Sequence, residues 1–317
     1  MTDTQKEVFK TPVNKIRLFE HGAPGSQNFK LTRKYYTEDM PDGRVKHIVQ
    51  NITDPDIVPY IPDGIGNSTD RQRIPAVLII PGGAFRRLVY NFEGEDVAKW
   101  LNSMGIAAFV LECRLPSDEH DNAEDVPLID AMRAMRVIRG RAQEFGIDEA
   151  KIGVMGFSAG GFMAALLSTA YESDVYADYK YKDEYDKLSA RPDFAVCSYP
   201  VISIDDCIEA GKRYMSEEQV LERISDGKAK ILHKYNPDKL VRPDMPPVFI
   251  CETDDDRTTL SENSVGFYMA ARKAGVSAEL HIFRTGGHGY GCGDDFAQTG
   301  EWKVLFTKWI KSIGIIS

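Results

Sequence analysis

The 317-residue sequence contains little cysteine and no long apolar segment. Its five cysteines are scattered, with no CxxC pair, which argues against a disulfide framework and against a zinc site. No stretch approaches the roughly 18 apolar residues of a membrane span. The opening segment, MTDTQKEVFKTPVNKIRLFE, lacks an apolar core of signal-peptide length. These absences predict a cytoplasmic protein with reduced thiols and no membrane partner.

Positive charge is not in excess either. The sequence has 39 lysines and arginines against 48 acidic residues, a net charge of −9. This balance argues against nucleic acid or an anionic membrane surface as a main partner. With 43% hydrophobic and 27% charged residues, the composition is that of a soluble globular protein whose length allows a substantial core.

After residue 72, short apolar runs typical of buried strands alternate with patterns of helical spacing. Such alternation indicates an α/β fold with a mostly parallel central sheet and helices on both faces. The predicted strands cover 75–80, 106–112, 151–157, 194–200, 246–252 and 278–283, and the predicted helices cover 94–105, 127–146, 158–170, 261–275 and 300–314.

The chain divides into two predicted parts. Residues 1–72 are polar and rich in turns, with short β-like pieces such as RVKHIVQNI, and predict a β-rich extension packed on the core. Residues 73–317 form the main domain. Within it, the interval around 171–245 is rich in tyrosine and charge and interrupts the alternation, so we expect a lid or cap insertion there.

The segment GFSAG places Ser158 between a predicted strand and a predicted helix. GxSxG alone is a weak signal, because glycine and serine are common residues. Its position matters more, since a strand, a sharp turn and a helix are the setting in which a serine is exposed as a nucleophile. The alternative is that Ser158 only caps the helix, although glycines at a helix start weaken the helix.

A nucleophilic serine needs a base and an acid that orients the base. Among six histidines, His288 lies in TGGHGYG, a glycine-rich loop after a predicted strand, where an imidazole is available to a site. The strand PPVFICE runs into TDDDRTT and offers three aspartates, of which one is expected to orient His288. The order serine, aspartate, histidine is that of the α/β-hydrolases. No matching cluster of histidines or carboxylates indicates a metal.

The fourth element is the turn PGGAF after the first core strand. Backbone amides in such a turn can stabilise the oxyanion that forms during acyl transfer. We expect donors from Gly83 or Ala84, together with Ala159, which follows the serine. The alternative is a plain turn.

Extended segments resemble the acetylxylan-esterase-like carbohydrate esterases of the α/β-hydrolases, including their feruloyl-esterase-related branch. The resemblance covers about residues 75–313 and rests on EGEDVAKWLNSMGIAAFVLECRLP, GVMGFSAGGFMAA, RPDFAVCSYPVISI and TDDDRTTLSENSVGFYMAARKAGVSAELHIFRTGGHGYG. It implies Ser158 as nucleophile, His288 as base and the amides of Gly83, Ala84 and Ala159 as the oxyanion hole. The family register implies Asp256 as the acid, with Asp255 as runner-up.

Two departures from the family pattern stand out. Ala84 replaces a third glycine, an exchange that suits the turn if Ala84 has a negative φ. TTLSENS replaces TVPVENS and loses a proline after the acid loop, which puts the choice between the aspartates in doubt.

The resemblance implies a serine esterase that removes small acyl groups, most of all acetyl, from carbohydrate such as xylan-type oligosaccharides. It implies no metal and no organic cofactor. The alternatives are a feruloyl or broad-specificity carboxylesterase, then a peptidase, then a non-catalytic binding protein. The partner expected is a small-molecule or oligosaccharide ester, and the sequence leaves the oligomeric state, including a homo-oligomer, open.

Overall fold

The computed structural model describes residues 9, 13–65, 73–118, 120–213, 215–216, 218–219, 229–293 and 297–317. Their strands are β1 (Ile16–Arg17), β2 (Lys34–Asp39), β3 (Val45–Gln50), β4 (Asp56–Tyr60), β5 (Ile74–Ile80), β6 (Leu88–Val89), β7 (Ala107–Glu112), β8 (Ile147–Phe157), β9 (Ala195–Ser198), β10 (Val248–Thr253) and β11 (Ala278–Phe283). Their helices are α1 (Asp96–Ser103), α2 (Val126–Gly140), α3 (Ala142–Phe145), α4 (Ala159–Ala170), α5 (Ile204–Lys212), α6 (Ala229–Lys234), α7 (Ser261–Lys273) and α8 (Ala297–Ser312).

Eight strands form the central sheet in the order β1-β4-β7-β5-β8-β9-β10-β11. The six strands from β7 to β11 in this order pair in parallel, whereas β4 and β1 add antiparallel strands at one edge. The central strands are buried along their apolar runs, as strands covered on both faces must be. The predicted α/β fold is confirmed.

The N-terminal residues contribute to both of the sheets that the described residues form. Strands β1 and β4 extend the central sheet, while β2 and β3 form a small antiparallel sheet with β6, which lies beyond the first core strand β5. Each of these sheets therefore contains strands from before and from after residue 72. A domain division at that residue stays a prediction.

The segment around 171–245 includes β9, which pairs with β8 and β10 in the central sheet. The first described part of this segment contacts the N-terminal residues and α2. The Tyr179 hydroxyl donates to the carbonyl of Gly22, and Asp183 pairs with Arg133 of α2. Part of the segment lies outside the described residues, and its role as a lid stays a prediction.

Two predicted helices differ in detail. The helix expected over 127–146 is divided into α2 and α3 because Arg141 leaves helical geometry, with φ −103° and ψ 16°. The helix expected from residue 94 begins as a single π-helical turn over Asn91–Glu95 before α1. Such turns shift the register of side chains and are frequent at functional sites.

Helix α4 is apolar all round, and its residues from Ala159 to Thr169 are buried. A helix without a polar face belongs in the interior of a protein. It packs against β8 and β9 of the sheet and against α2. Its first residue, and the serine before it, are thereby fixed by the core.

Candidate active site

Ser158 lies between the end of β8 and the start of α4, with φ 54° and ψ −119°. A positive φ is uncommon at a non-glycine residue, and residues strained in this way cluster at functional sites. The turn is tight: a Cβ on Gly156 would lie 1.9 Å from the carbonyl oxygen of Gly160, and one on Gly160 would lie 2.0 Å from that of Ile80. The small residues of GFSAG are thus required by close backbone approach.

His288 lies in the loop after β11 and faces Ser158. Its Nε2 is 2.8 Å from Ser158 Oγ, and its Nδ1 is 2.6 Å from Asp256 Oδ2. The structure therefore brings together the three residues that the sequence singled out, in the order of a nucleophile, a base and an orienting acid. All three follow strand ends at the carboxyl edge of the sheet, where sites of α/β folds lie.

Asp256 is held firmly in its loop and is only 2% exposed. Its Oδ1 accepts hydrogen bonds from the amides of Thr258 (2.7 Å) and Thr259 (3.0 Å), and its Oδ2 accepts one from Thr259 Oγ1 (3.0 Å). Burial raises the pKa of Asp256. The hydrogen bond to His288, the charge of His288 and the hydrogen bonds from the two amides lower it by more, so the pKa lies below its usual value. Asp256 is therefore an anion suited to an imidazolium partner.

Asp255 has a different neighbour. Its Oδ1 accepts hydrogen bonds from the amides of Gly286 (2.9 Å) and Gly287 (2.8 Å), just before His288 in the chain. Among the described residues it forms no hydrogen bond with the imidazole. Asp255 therefore supports the backbone of the histidine loop, and Asp256 contacts the ring.

The turn after β5 lies beside the serine. The amide of Gly82 donates to Glu93 Oε2 at 2.8 Å, whereas Gly83 and Ala84 line the cavity above Ser158. The amide of Ala159 begins α4 and has no acceptor within the helix. The structure thus places the backbone of all three predicted donor residues beside the serine.

Ala84 departs from the expected backbone geometry. Its φ is 59° rather than negative, and Phe85 follows at 60°. Left-handed geometry costs an L-residue about 1–2 kcal/mol, so the surrounding structure must hold the turn. Hydrogen bonds from the Val89 amide to the Gly82 carbonyl and from the Arg86 amide to the Gly83 carbonyl do this.

Glu93 was not singled out by its sequence context, which reads as the acidic start of a helix. The side chain is buried; its Oε1 accepts a hydrogen bond from the Tyr199 hydroxyl at 2.9 Å, and that hydroxyl accepts one from the Gly291 amide at 3.1 Å. Tyr199 also meets the His288 ring edge-on, with centroids 5.0 Å apart. Burial raises the pKa of Glu93. Glu93 and Tyr199 thus connect the turn after β5 to the histidine loop.

A second buried carboxyl, Glu252, lies at the end of β10. It accepts hydrogen bonds from the Thr253 amide at 2.9 Å and from Ser264 Oγ at 3.2 Å. Burial and the nearby charge of Asp256 raise the pKa of Glu252 well above its usual value. Folded protein therefore retains a proton on Glu252 at a pH where an exposed glutamate has lost it.

This proton gives a testable pH dependence. Above the unfolded glutamate pKa of about 4.3, the folded state binds one more proton than the unfolded state, so the stability associated with Glu252 falls as pH rises, by at most about 1.4 kcal/mol per pH unit. Urea unfolding at several pH values should show the wild type losing stability relative to Glu252→Gln as pH rises. Glu301→Gln, an exposed change in α8, is the control and should track the wild type. Parallel curves for the wild type and Glu252→Gln would contradict the assignment.

A cavity of about 240 Å³ opens above Ser158 and His288. Its described lining comes from the small N-terminal sheet and the turns around the serine rather than from 171–245. The lining residues are Met40, Arg44, Lys46, Gly83, Ala84, Arg87, Val89, Phe92, Glu93, Ser158, Thr258, His288 and Gly289.

Within the described part of the chain, no three histidine, cysteine, aspartate or glutamate side chains are grouped to hold a metal ion. No helix in that part is both long and apolar enough to cross a membrane. The predicted cytoplasmic location stays a prediction.

A serine at a strained strand-to-helix turn, a histidine and a buried aspartate at the carboxyl edge of a mostly parallel sheet define an α/β-hydrolase. The BD-FAE family model matches residues 65–270, more than half of the chain, so the chain belongs to the BD-FAE family. The resemblance to α/β-hydrolase esterases is thereby confirmed.

Curated relatives agree with this family. The chain is 31% identical over 240 residues to an acetylxylan esterase of Xylanibacter ruminicola, covering 75% of this chain and 45% of that protein. It is 29% identical over 269 residues to endo-1,4-beta-xylanase B of Butyrivibrio fibrisolvens, covering 82% of this chain and 40% of that protein. The chain therefore spans less than half the length of each of these two relatives.

Solved structures show the same fold. An acetyl ester-xyloside bifunctional hydrolase from Caldicellulosiruptor lactoaceticus has a TM-score of 0.71 and 35% identity, covering 96% of this chain and 97% of that one. The carboxylesterase Cest-2923 from Lactobacillus plantarum has a TM-score of 0.67 at 20% identity, covering 90% and 99%. The second likeness concerns the fold alone.

Proposed function

We propose that the chain is a serine esterase that removes acetyl groups from carbohydrate, such as xylan-type oligosaccharides, through an acyl-enzyme. The observation that carries this proposal is the hydrogen-bonded series Ser158–His288–Asp256, with distances of 2.8 Å and 2.6 Å. An acetylxylan esterase among the relatives and an acetyl ester-xyloside hydrolase among the solved structures support acetyl carbohydrate esters as the substrate class.

In the first half of the reaction, Ser158 Oγ attacks the ester carbonyl carbon and its proton passes to His288 Nε2. The carbonyl oxygen becomes an oxyanion and accepts hydrogen bonds from the amides of Ala159 and of Gly83 or Ala84. One such donor contributes about 2.7–4 kcal/mol to lowering the barrier. The carbonyl then re-forms, the bond from the acyl carbon to the sugar oxygen breaks, and that oxygen takes the proton from His288 to leave as the sugar hydroxyl.

In the second half, His288 removes a proton from water, which attacks the acyl carbon. The acyl–Ser158 bond breaks, the proton on His288 passes to Ser158 Oγ, and the acyl group leaves as acetic acid, which ionises to acetate in solution. Throughout, the anionic Asp256 holds Nδ1–H and stabilises the imidazolium. Each half begins and ends with neutral His288, so the cycle closes without a cofactor.

The cavity is expected to favour short acyl groups. Its volume of about 240 Å³ is shared by the acyl group and part of the alcohol, and Phe92 and Val89 form apolar walls. Overfilling a packed apolar space by a few methylenes costs about 1–3 kcal/mol, so kcat/KM on 4-nitrophenyl esters should fall by about fivefold to 150-fold between acetate and hexanoate. A flat or rising profile, or faster turnover of feruloyl esters, would instead favour a broad-specificity or feruloyl esterase.

The direct test is acetate release from acetylated xylo-oligosaccharides, compared with acetylated pectin fragments and simple esters. The proposal predicts the highest kcat/KM on an acetylated saccharide. Cleavage of peptides with no ester turnover would indicate a peptidase, and no turnover of any substrate would indicate a binding protein.

A further inference from the structure

Basic side chains surround the cavity above Ser158, although the whole chain carries a net charge of −9. Arg44, Lys46 and Arg87 all line it, and all come from the small sheet of β2, β3 and β6 or from the turns next to its strands. The one acidic residue among the described lining residues is Glu93. Its oxygens already accept hydrogen bonds from the Gly82 amide and the Tyr199 hydroxyl.

The two arginines have acidic neighbours outside the cavity lining. Arg44 pairs with Asp42 at 2.8 Å and lies over the Phe92 ring, 5.2 Å from its centroid. Arg87 pairs with Glu38 of β2. Each guanidinium charge is therefore balanced by a neighbouring carboxylate.

Lys46 is different. It is half-buried on β3, and no acidic side chain in the described part of the chain forms an ion pair with it. Glu38, directly opposite on β2, pairs with Arg87 instead. Burial raises the pKa of Glu93, and the positive charge of Lys46 offsets a small part of that rise. Among the described basic residues that line the cavity, Lys46 is therefore the one whose ammonium group has no carboxylate in an ion pair.

We propose that this cavity selects esters that carry a carboxylate close to the scissile acyl group, and that Lys46 binds that carboxylate. The proposal rests on the esterase function proposed above and names its substrate class. The single charge of one lysine ammonium matches the single charge of a carboxylate, whereas a phosphate monoester carries about −1.5 to −2. A concave site enclosed by protein also makes the attraction between the Lys46 ammonium and a carboxylate stronger than it would be in open solvent.

The carboxylate has two possible sources in an acylated carbohydrate. It belongs either to the sugar, as a uronic acid next to the acylated residue, or to the acyl group, as a half-ester of a dicarboxylic acid. Two matched substrate pairs separate these sources. One pair is an acetylated xylo-oligosaccharide with and without a glucuronic acid branch, and the other is mono-4-nitrophenyl succinate with 4-nitrophenyl butyrate.

In at least one pair, wild-type kcat/KM at low salt should favour the anionic member by about fivefold, the scale of one partly screened ion pair. The preference should decrease as salt is added, because ions screen charges that are open to solvent. Lys46→Gln should remove the preference and Lys46→Arg should retain it. Lys34→Gln makes the same charge change on the same sheet, about 13 Å along the strand pair from Lys46, and should behave as wild type.

Equal kcat/KM for both members of both pairs would overturn the inference while leaving the esterase function intact. A preference that persists in Lys46→Gln would overturn the role of Lys46. Absence of turnover with every ester would overturn the proposed function and this inference with it.

Discussion

Replacing Ser158 by alanine is expected to lower kcat for 4-nitrophenyl acetate by about 10⁶-fold, the effect of removing a serine nucleophile from a comparable triad. The same change should leave the free energy of unfolding within about 1 kcal/mol of the wild type. Ser158 makes no capping hydrogen bond to α4, and its hydroxyl instead contacts His288. A helix-cap role predicts a loss of about 1 kcal/mol in stability and no loss of activity, so the activity is the result that separates the two roles.

Ser168→Ala is the matched control for this experiment. Ser168 lies in the same helix, is buried, and donates to the carbonyl of Ala164 at 2.7 Å, four residues back. Its hydroxyl is remote from the reacting groups, so activity should stay within about threefold of the wild type, as for a local hydrogen bond within a helix. Comparable loss in both variants would mean that disturbing α4, rather than removing a nucleophile, abolishes activity.

Two adjacent aspartates provide the second large effect. Asp256→Asn should lower kcat by about 10⁴-fold, because an amide favours the wrong imidazole tautomer and does not stabilise the imidazolium. Asp255→Asn should lower it by less than about tenfold, since an amide oxygen still accepts the hydrogen bonds of Gly286 and Gly287. The changes are chemically identical and one residue apart, so they separate contact with the ring from support of its loop.

Initial rates across pH complete this comparison. In Asp256→Asn the profile should change shape, because the imidazolium that forms during the reaction loses its anionic partner. Asp255→Asn should keep the wild-type profile at a reduced height. If Asp255→Asn proved the more damaging substitution, the family register that selected Asp256 would be wrong.

The core of the fold was predictable because buried parallel strands are continuous apolar runs. PAVLII, for example, becomes most of β5, and IAAFVLE contains the whole of β7. Local signals also located the strand-to-helix turn at Ser158, since a serine between small residues at the end of a strand is typical of such a sharp turn. The division of the helix expected over 127–146 was not visible, because nothing in its periodicity marks Arg141.

Non-local contacts were beyond prediction from the sequence. The pairing of Ile48 with Val89 joins segments about forty residues apart and places Lys46 at the mouth of the cavity. Glu93 gave no sign of its role because its contacts, Gly82 and Tyr199, come from other turns. The acid was the least predictable site residue: three adjacent aspartates fit the pattern, and only the family register favoured Asp256, the one that contacts His288.

The central claim is that Ser158 is the group that reacts. Treatment of the native protein with a fluorophosphonate probe, followed by peptide mass spectrometry, tests it most directly. We predict one adduct, on the peptide that contains Ser158, formed in step with loss of esterase activity and absent in Ser158→Ala. Complete labelling at another residue, or full esterase activity with no adduct at Ser158, would contradict it.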